Sequence, residues 1–496
     1  MKKVIIIGAG ISGLSAGIFG RKCGFDTEIY EMHSIPGGEC TGWNRKGYHF
    51  DNCIHWLTGT NKEADLYKVW EAVGALRNIE IYQFEYLFSV RVNNKTIYFF
   101  RDINKFKEHL LEIAPEDSEE ILKFIEIIKK VQVCKLPTKK PMDMMNIIDY
   151  IKIIKNYGGA GKYVAELSKL SIEEYVSRFK SEIIKKAIIE TLPKEYSALA
   201  LFFTLGTFTS GDGGWPKGGS LAMASRMEQE YKGLGGKIEY NSRVKRVIVE
   251  DGEAKGIELA NGKSVSGDYI ISAIDANMLL RNLLGNKISD KVFDTQFNNP
   301  AKYPIHSSVD IGIGVKCDLS NRDHSVNVQV EPFKCGSLEV DRIGIKHYCY
   351  EEDFSPKGCS TIKINIIGDD YNYWKDLKDN NEQQYYNEKD KLAKEVLKRI
   401  ELIYPETKGN FEVYDVCTPV TYERYCGAYK GSWMAFDMLP NVKKLNHGGI
   451  IKGINNLYVA GQWISTPGGL PTAVVSGKWA IQKVCRREKV KFNFEY

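Results

Sequence analysis

Apolar residues run in three rhythms along this chain, and each rhythm predicts a different kind of element. Over 4–7 four apolar residues stand together, the pattern of a strand buried on both faces, and from Ile11 onward the spacing turns helical almost without a loop. A second strand is expected over 27–30. A helical pattern follows over 66–76, then a hairpin of 89–92 and 96–100 around Asn93-Asn94. Residues 118–205 read as successive helices broken at Pro137, Pro141, Gly158-Gly159 and Pro193, with a capping box at Ser171 and Glu174. Further on, 221–234 is helical and stops at Gly235-Gly236. Three strands are expected over 243–250, 254–259 and 263–272, the last two joined at Asn261-Gly262. Strands over 306–314 and 361–367 precede a long helix over 382–403 closed by Pro405, and a last strand over 457–460 leads into a helix carrying Pro471 in its first turn.

Within the helical stretch, Met144, Ile147, Ile148 and Ile151 form an apolar stripe beside Lys152 and Lys155. Such a stripe suits either an interfacial membrane face or a helix packed on its own domain, and the second is expected here.

Length and composition narrow the classes. At 496 residues the chain is expected to form two or three domains. The net charge of +5 is dispersed, with no dense arginine run, so nothing points to nucleic acid. Eleven cysteines include no CxxC pair, which removes zinc-ribbon and thioredoxin readings and fits reduced thiols in the cytoplasm. No metal site is expected. No segment reaches the ~18–20 apolar residues of a membrane span, the nearest being 197–209. The basic start and the apolar run after it resemble a secretory signal, but cleavage there would destroy the motif embedded in it.

That motif is Gly8-Ala9-Gly10-Ile11-Ser12-Gly13, with GxGxxG spacing between the first strand and the first helix. Gly8 permits the tight turn, Gly10 lets the backbone approach a pyrophosphate, and Gly13 lets helix and strand pack closely. The helix N-terminus offers unpaired N–H groups and its positive dipole end to the phosphates. Glu31, closing the second strand, is placed to accept hydrogen bonds from an adenosine ribose. Strand, turn, helix and acid together predict a dinucleotide site.

After Glu31 come the paired glycines Gly37-Gly38, and then Gly47-Tyr48-His49-Phe50-Asp51. Here, in the glycine-rich loop around Gly218-Gly219 and in the closing segment from Asn456 to Val484, the chain resembles the flavoproteins that include phytoene desaturases, carotenoid isomerases and related saturases. These share a two-domain fold with amine oxidases. The resemblance implies a Rossmann-type α/β domain binding FAD (1–75, 213–284 and 426–496) and a discontinuous α+β substrate domain (76–212, helix-rich, and 285–425). It also implies contacts to FAD from Gly8, Ala9, Gly10, Ser12 and Gly13 at the pyrophosphate, Glu31 at the ribose, and Gly37 and Gly38 beside it. Val244 is implied at the adenine, and Gly461, Gly469, Leu470 and Pro471 around the diphosphate and isoalloxazine. Two departures are visible: Glu39 stands where relatives often carry a basic residue, and Asn52-Cys53-Ile54-His55-Trp56 replaces a small glycine-containing turn.

The activity implied is hydride transfer between flavin N5 and a C–H or C=C unit of an apolar polyene, isoprenoid or lipid-like substrate, as desaturase, saturase or reduced-flavin isomerase. Only one dinucleotide fingerprint is visible, so a separate electron donor or acceptor is expected. A peripheral membrane contact is compatible with such a substrate, and nothing in the sequence speaks to oligomeric state. Because the family places the segment near the flavin, Asp51, Cys53 and His55 are the candidates for proton work. Each also fits a structural role: Asp51 capping a turn, Cys53 as a small packing residue, His55 as a core histidine. Two other readings of the fold stand beside this one. An amine oxidase would need an aromatic cage, for which Trp463 alone is available, and a flavin-free prenyl- or lipid-binding protein would have little need for Glu31 or the closing turn.

Overall fold

The computed structural model describes residues 1–492 and residue 494. It opens with strand β1 (Lys3–Ile7), helix α1 (Ile11–Lys22) and strand β2 (Asp26–Tyr30), as the apolar runs predict. A short hairpin of β3 (Gly42–Arg45) and β4 (Tyr48–Asp51) follows. A second, longer hairpin, β5 (Tyr86–Val92) and β6 (Lys95–Phe100), leads into the helical stretch. That stretch includes α2 (Ile147–Tyr157) and the apolar α3 (Ala198–Thr209), and Ser171 and Glu174 form the expected capping box.

The chain then returns through helix α4 (Gly219–Gly233), β7 (Lys237–Glu239) and β8 (Tyr269–Ser272). Four long strands come next: β9 (Ser307–Val315), β10 (Ser325–Cys335), β11 (Leu338–His347) and β12 (Ser360–Gly368). The 22-residue helix Glu382–Ile403 precedes β13 (Phe411–Cys417), and the fold closes with β14 (Leu457–Val459) and helix α5 (Gly469–Glu488).

Two sheets organise these elements. The first is parallel and five-stranded, in the order β14-β8-β1-β2-β7, with β1 at its centre in register with both β8 and β2. Helices α1 and α5 pack together on it. Ser15 Oγ donates to the Val474 carbonyl at 2.6 Å, and at Gly477 a Cβ would lie 2.2 Å from the Ser12 carbonyl oxygen, so the two helices touch backbone to backbone. The second sheet has seven strands, β13-β9-β12-β11-β10-β5-β6, antiparallel except where β5 meets β10. The helical stretch forms its own core around Phe124, Tyr175 and Phe202. Both sheets draw strands from widely separated parts of the chain.

Two sequence expectations change. The strand expected over 263–272 is two strands: Ser264–Ser266 pairs antiparallel with Glu253–Leu259, whereas β8 joins the parallel sheet. The break falls at Gly267, where a Cβ would meet the Ile5 side chain at 2.8 Å. The stripe on α2 is not packed on its own domain, for Ile147, Ile148, Ile151 and Ile154 are 56–75% exposed and no residue of this helix is buried. Among the described residues, no helix is long and apolar enough to cross a membrane.

Candidate active site

A single cavity of about 1560 Å³ runs from the N-terminus of α1, past the N-terminus of α5, and along the face of the seven-stranded sheet. That is more than one small ligand needs.

At its first end the glycine turn is built as its spacing requires. Gly8 has φ +98°, and a Cβ on Gly13 would lie 1.9 Å from the Gly8 carbonyl oxygen, so α1 begins against the turn. Gly10 is different: its nearest neighbour for a Cβ is the Gly37 carbonyl oxygen at 3.9 Å, and it faces the cavity. Neither α1 nor α5 is capped by its own N-cap residue or has an acid in its first turn, although the Gly469 amide of α5 donates to Gln462 Oε1 at 3.1 Å. Their N-terminal dipole ends therefore have no anion of the protein to meet, which suits a diphosphate and a reduced isoalloxazine. Gly10, Ser12, Gly37, Gly38, Gly461, Gly469, Leu470 and Pro471 line the cavity.

Gly8, Ala9, Gly13, Glu31 and Val244 lie outside its wall. Glu31 is buried, and its carboxylate oxygens accept from the Ala9 amide at 2.6 Å and the His33 amide at 2.8 Å. It thus braces the glycine turn against the end of β2. Each oxygen keeps a lone pair for a second donor.

Glu39 faces the same region, with Asp275 close by. Burial, then the Asp275 charge, push its carboxyl up to about 8, against a hydrogen bond to Gln462. Asp275 is itself raised by burial to about 6, although the Asn277, Met278 and Tyr429 amides all donate to it. At neutral pH Glu39 is a protonated acid, so it places no charge against a diphosphate.

Further along, Asp51 is 2% exposed, and both of its oxygens are committed: one accepts from the Ser220 amide at 2.6 Å, the other from Ser220 Oγ at 2.7 Å. It caps α4 from a distant strand and is not part of the cavity wall, whereas Cys53 and His55 are. Ser220 Oγ in turn accepts from the Ile54 amide at 2.9 Å, holding this segment in place. The His55 ring meets Trp56 and Trp433 edge-on, at centroid distances of 6.4 and 5.8 Å, and its Nε2 has no partner among the described residues. Burial, with the charges of Lys363 and Lys346, holds His55 well below the usual histidine range, so it is neutral.

Those two lysines were not among the candidates read from the sequence. Lys346 on β11 and Lys363 on β12 are cross-strand partners, 8% and 7% exposed, and both face the cavity. Lys363 pairs with Asp310 at 2.9 Å. Lys346 has no carboxylate within 4 Å among the described residues. Its ammonium donates to the His55 carbonyl at 3.1 Å and lies 4.3 Å from the centroid of the Trp215 ring. Burial pushes Lys346 down to about 7, with Asp51 opposing and Lys363 adding to the effect. In Ile343-Gly344-Ile345-Lys346 and Ile362-Lys363-Ile364 each lysine alternates with the isoleucines and so falls on the opposite face of its strand, a pattern that reads as solvent-facing and gave no signal of burial. The cavity wall also includes the apolar and aromatic side chains of Leu87, Phe88, Tyr196, Phe203, Trp433 and Met438, beside the polar Glu190, Asn327 and Arg342.

No group of three or more His, Cys, Asp or Glu side chains among the described residues is arranged to hold a metal ion. The cavity wall thus brings together the N-termini of α1 and α5, two buried lysines and a set of apolar and aromatic side chains.

Comparison with known proteins agrees with this architecture. The chain is 23% identical to a chloroplastic prolycopene isomerase of Daucus carota over 461 residues, covering 86% of this chain and 71% of that protein. It is 21% identical to a 4,4'-diapophytoene desaturase (4,4'-diapolycopene-forming) of Methylomonas sp, covering 99% and 97%. The crystal structure of an oxidoreductase from Methanosarcina mazei superposes with a TM-score of 0.61 at 15% identity, over 97% of this chain and all of that one, which shows the shared fold. Residues 11–485 match the model of one family, and the chain belongs to it: the flavin containing amine oxidoreductases, here an FAD-dependent oxidoreductase with a Rossmann-type domain.

Proposed function

We propose that the protein transfers hydride between FAD and a C–H or C=C unit of an apolar polyene, isoprenoid or lipid-like substrate. One observation carries this reading: a single cavity of about 1560 Å³ is lined both by the two helix N-termini and by apolar and aromatic side chains, room for a cofactor and an extended apolar substrate together. Relatives named as a prolycopene isomerase and a diapophytoene desaturase support the substrate class. The bound flavin supplies the two-electron chemistry. The chain orients both partners, keeps water out, and moves protons.

In this reading Gly8, Ala9, Gly10, Ser12 and Gly13 surround the diphosphate, and Glu31 adds a ribose hydroxyl to the amides it already binds. Gly37 and Gly38 lie alongside, Val244 meets the adenine, and Gly461, Gly469, Leu470 and Pro471 border the isoalloxazine. Segments 1–75, 213–284 and 426–496 form the FAD domain, and the remainder the substrate domain. Proton work falls to Lys346, whose ionisation near neutrality suits a donor that is also an acceptor. His55 and Cys53 orient the substrate beside it. An amine substrate fits less well, because its ammonium would enter a chamber that already holds two buried lysines.

The apolar face of α2 rests on a lipid surface in this proposal. The same helix contributes Lys152, Ile153, Asn156 and Tyr157 to the cavity wall, so a substrate leaving the lipid meets the chamber at once.

The test is the visible spectrum of the purified protein before and after anaerobic dithionite, with the released cofactor identified by mass. A bleaching flavin spectrum with FAD released is expected. Anaerobic mixing with C20 to C40 polyenes in micelles then reduces the oxidised flavin or reoxidises the reduced one. A flavin that no polyene alters in either direction overturns the substrate class.

A further inference from the structure

We propose that Cys40 and Cys53 form a reversible disulfide in the wall of the cavity, a second two-electron centre whose place beside the flavin rests on the reading above. The hairpin β3–β4 brings them together. Gly42 stands opposite Asp51, and the pairing continues outward through the Asn52 amide, which donates to the Thr41 carbonyl at 3.0 Å. The next opposed pair is Cys40 and Cys53. Only this one bond joins Thr41 and Asn52, because the Thr41 amide turns to the Glu39 carbonyl at 2.9 Å, so the ladder ends just short of the two cysteines. In a regular antiparallel ladder the opposed positions just past a hydrogen-bonded pair have their Cα atoms about 4.5 Å apart and their side chains closest. That separation is within the roughly 4.4–6.8 Å that a disulfide spans.

The two thiols are already in contact. The Cys40 thiol donates to the Ser220 carbonyl at 3.4 Å, and the Cys53 thiol lies against it. Cys40 is 1% exposed and Cys53 half-buried, and both line the chamber. The Cys53 contact, then burial, hold the Cys40 thiol well above the ordinary thiol range. Cys40 therefore adds little thiolate stabilisation to the reduced form, which favours the dithiol as an electron donor.

On oxidation two S–H bonds break and one S–S bond forms. Two electrons and two protons leave, either to a small-molecule disulfide by exchange or to the oxidised flavin in the same chamber. Reduction by a dithiol reverses the step. This gives the enzyme a route for electrons that needs no second nucleotide site.

The experiment uses the full-length holoenzyme, oxidised with diamide or reduced with dithiothreitol, denatured in N-ethylmaleimide and weighed intact. The oxidised protein is expected to take up two fewer maleimides, and fragmentation of its tryptic peptides to link Cys40 to Cys53, with dithiothreitol restoring both sites. Under argon, the oxidised wild type consumes two dithionite equivalents per flavin and Cys53→Ser consumes one. Linkage of Cys53 to Cys426 instead, of Cys23 to Cys485 alone, or no linkage at all overturns the proposal. Protein that carries the Cys40–Cys53 bond but no flavin leaves this proposal standing and fails the functional one.

Discussion

Lys346 and Lys363 stand directly opposite one another on adjacent antiparallel strands, both buried and both facing the cavity. Like charges in such cross-strand positions destabilise a sheet, and burial adds a desolvation cost. Asp310 neutralises Lys363. Lys346 is left as the group whose charge the chamber sets, and it answers by titrating near 7.

Lys346→Met is therefore expected to change stability by no more than about 1–2 kcal/mol, since relief of desolvation offsets the lost hydrogen bonds to the Ile54 and His55 carbonyls. Its rate of flavin reduction or reoxidation by a polyene is expected to fall by about 10²–10⁴-fold, the usual worth of a positioned proton donor. Wild-type rates should carry an inflection near pH 7 that the variant lacks. A variant that keeps both rate and inflection would remove Lys346 from the chemistry.

Glu39 makes flavin binding depend on pH. Its folded pKa is raised, so the carboxyl is neutral through pH 7 and gains its charge as pH passes about 8. Asp275 faces it from the segment after β8, Gln462 from the turn before α5, and the Cys426 thiol from the segment before Trp433. Ionisation then sets a carboxylate against the diphosphate. FAD affinity, followed by flavin fluorescence on dialysis, is expected to weaken from pH 7 to 9, and Glu39→Gln to abolish most of that trend.

The glycine turn, β1, α1, β2 and the closing β14–α5 unit were legible because each depends on local sequence: a buried run, glycines at fixed spacing, a proline in a first turn. The same locality made Glu382–Ile403 readable as a helix. Tertiary roles were not legible in this way. Asp51 sits two residues from Cys53, yet its partner is Ser220, 169 positions away. The lysine pair depends on the register of β11 against β12, and the exposure of α2 on what fails to pack over it. No periodicity encodes either.

Glu31→Ala is expected to act through the turn as well as the ribose. Removing the carboxylate leaves the buried Ala9 amide without its acceptor, at a cost of about 1–3 kcal/mol. Flavin content after purification, read as the ratio of visible to ultraviolet absorbance, should fall well below one per chain. Glu31→Gln keeps one acceptor oxygen and should recover part of it. Full occupancy in the alanine variant would contradict the assigned contact.

Helix α2 offers the clearest test of how an apolar substrate arrives. Ile147, Ile148, Ile151 and Ile154 are exposed on it, with Lys152 and Lys155 on the same helix. Burying an isoleucine in the acyl boundary is worth about 1.5–3 kcal/mol, and lysines add attraction to anionic headgroups. Co-sedimentation with vesicles of phosphatidylglycerol and phosphatidylcholine is expected for the wild type. Replacing Ile147 and Ile151 by Glu should weaken it at least tenfold, by loss of apolar burial and by added repulsion. The same variant should turn over a polyene delivered in vesicles more slowly, yet match the wild type on substrate in detergent micelles. Equal loss in both formats would mean that the substitutions damage the chamber, and equal vesicle binding would mean that this face meets something other than lipid.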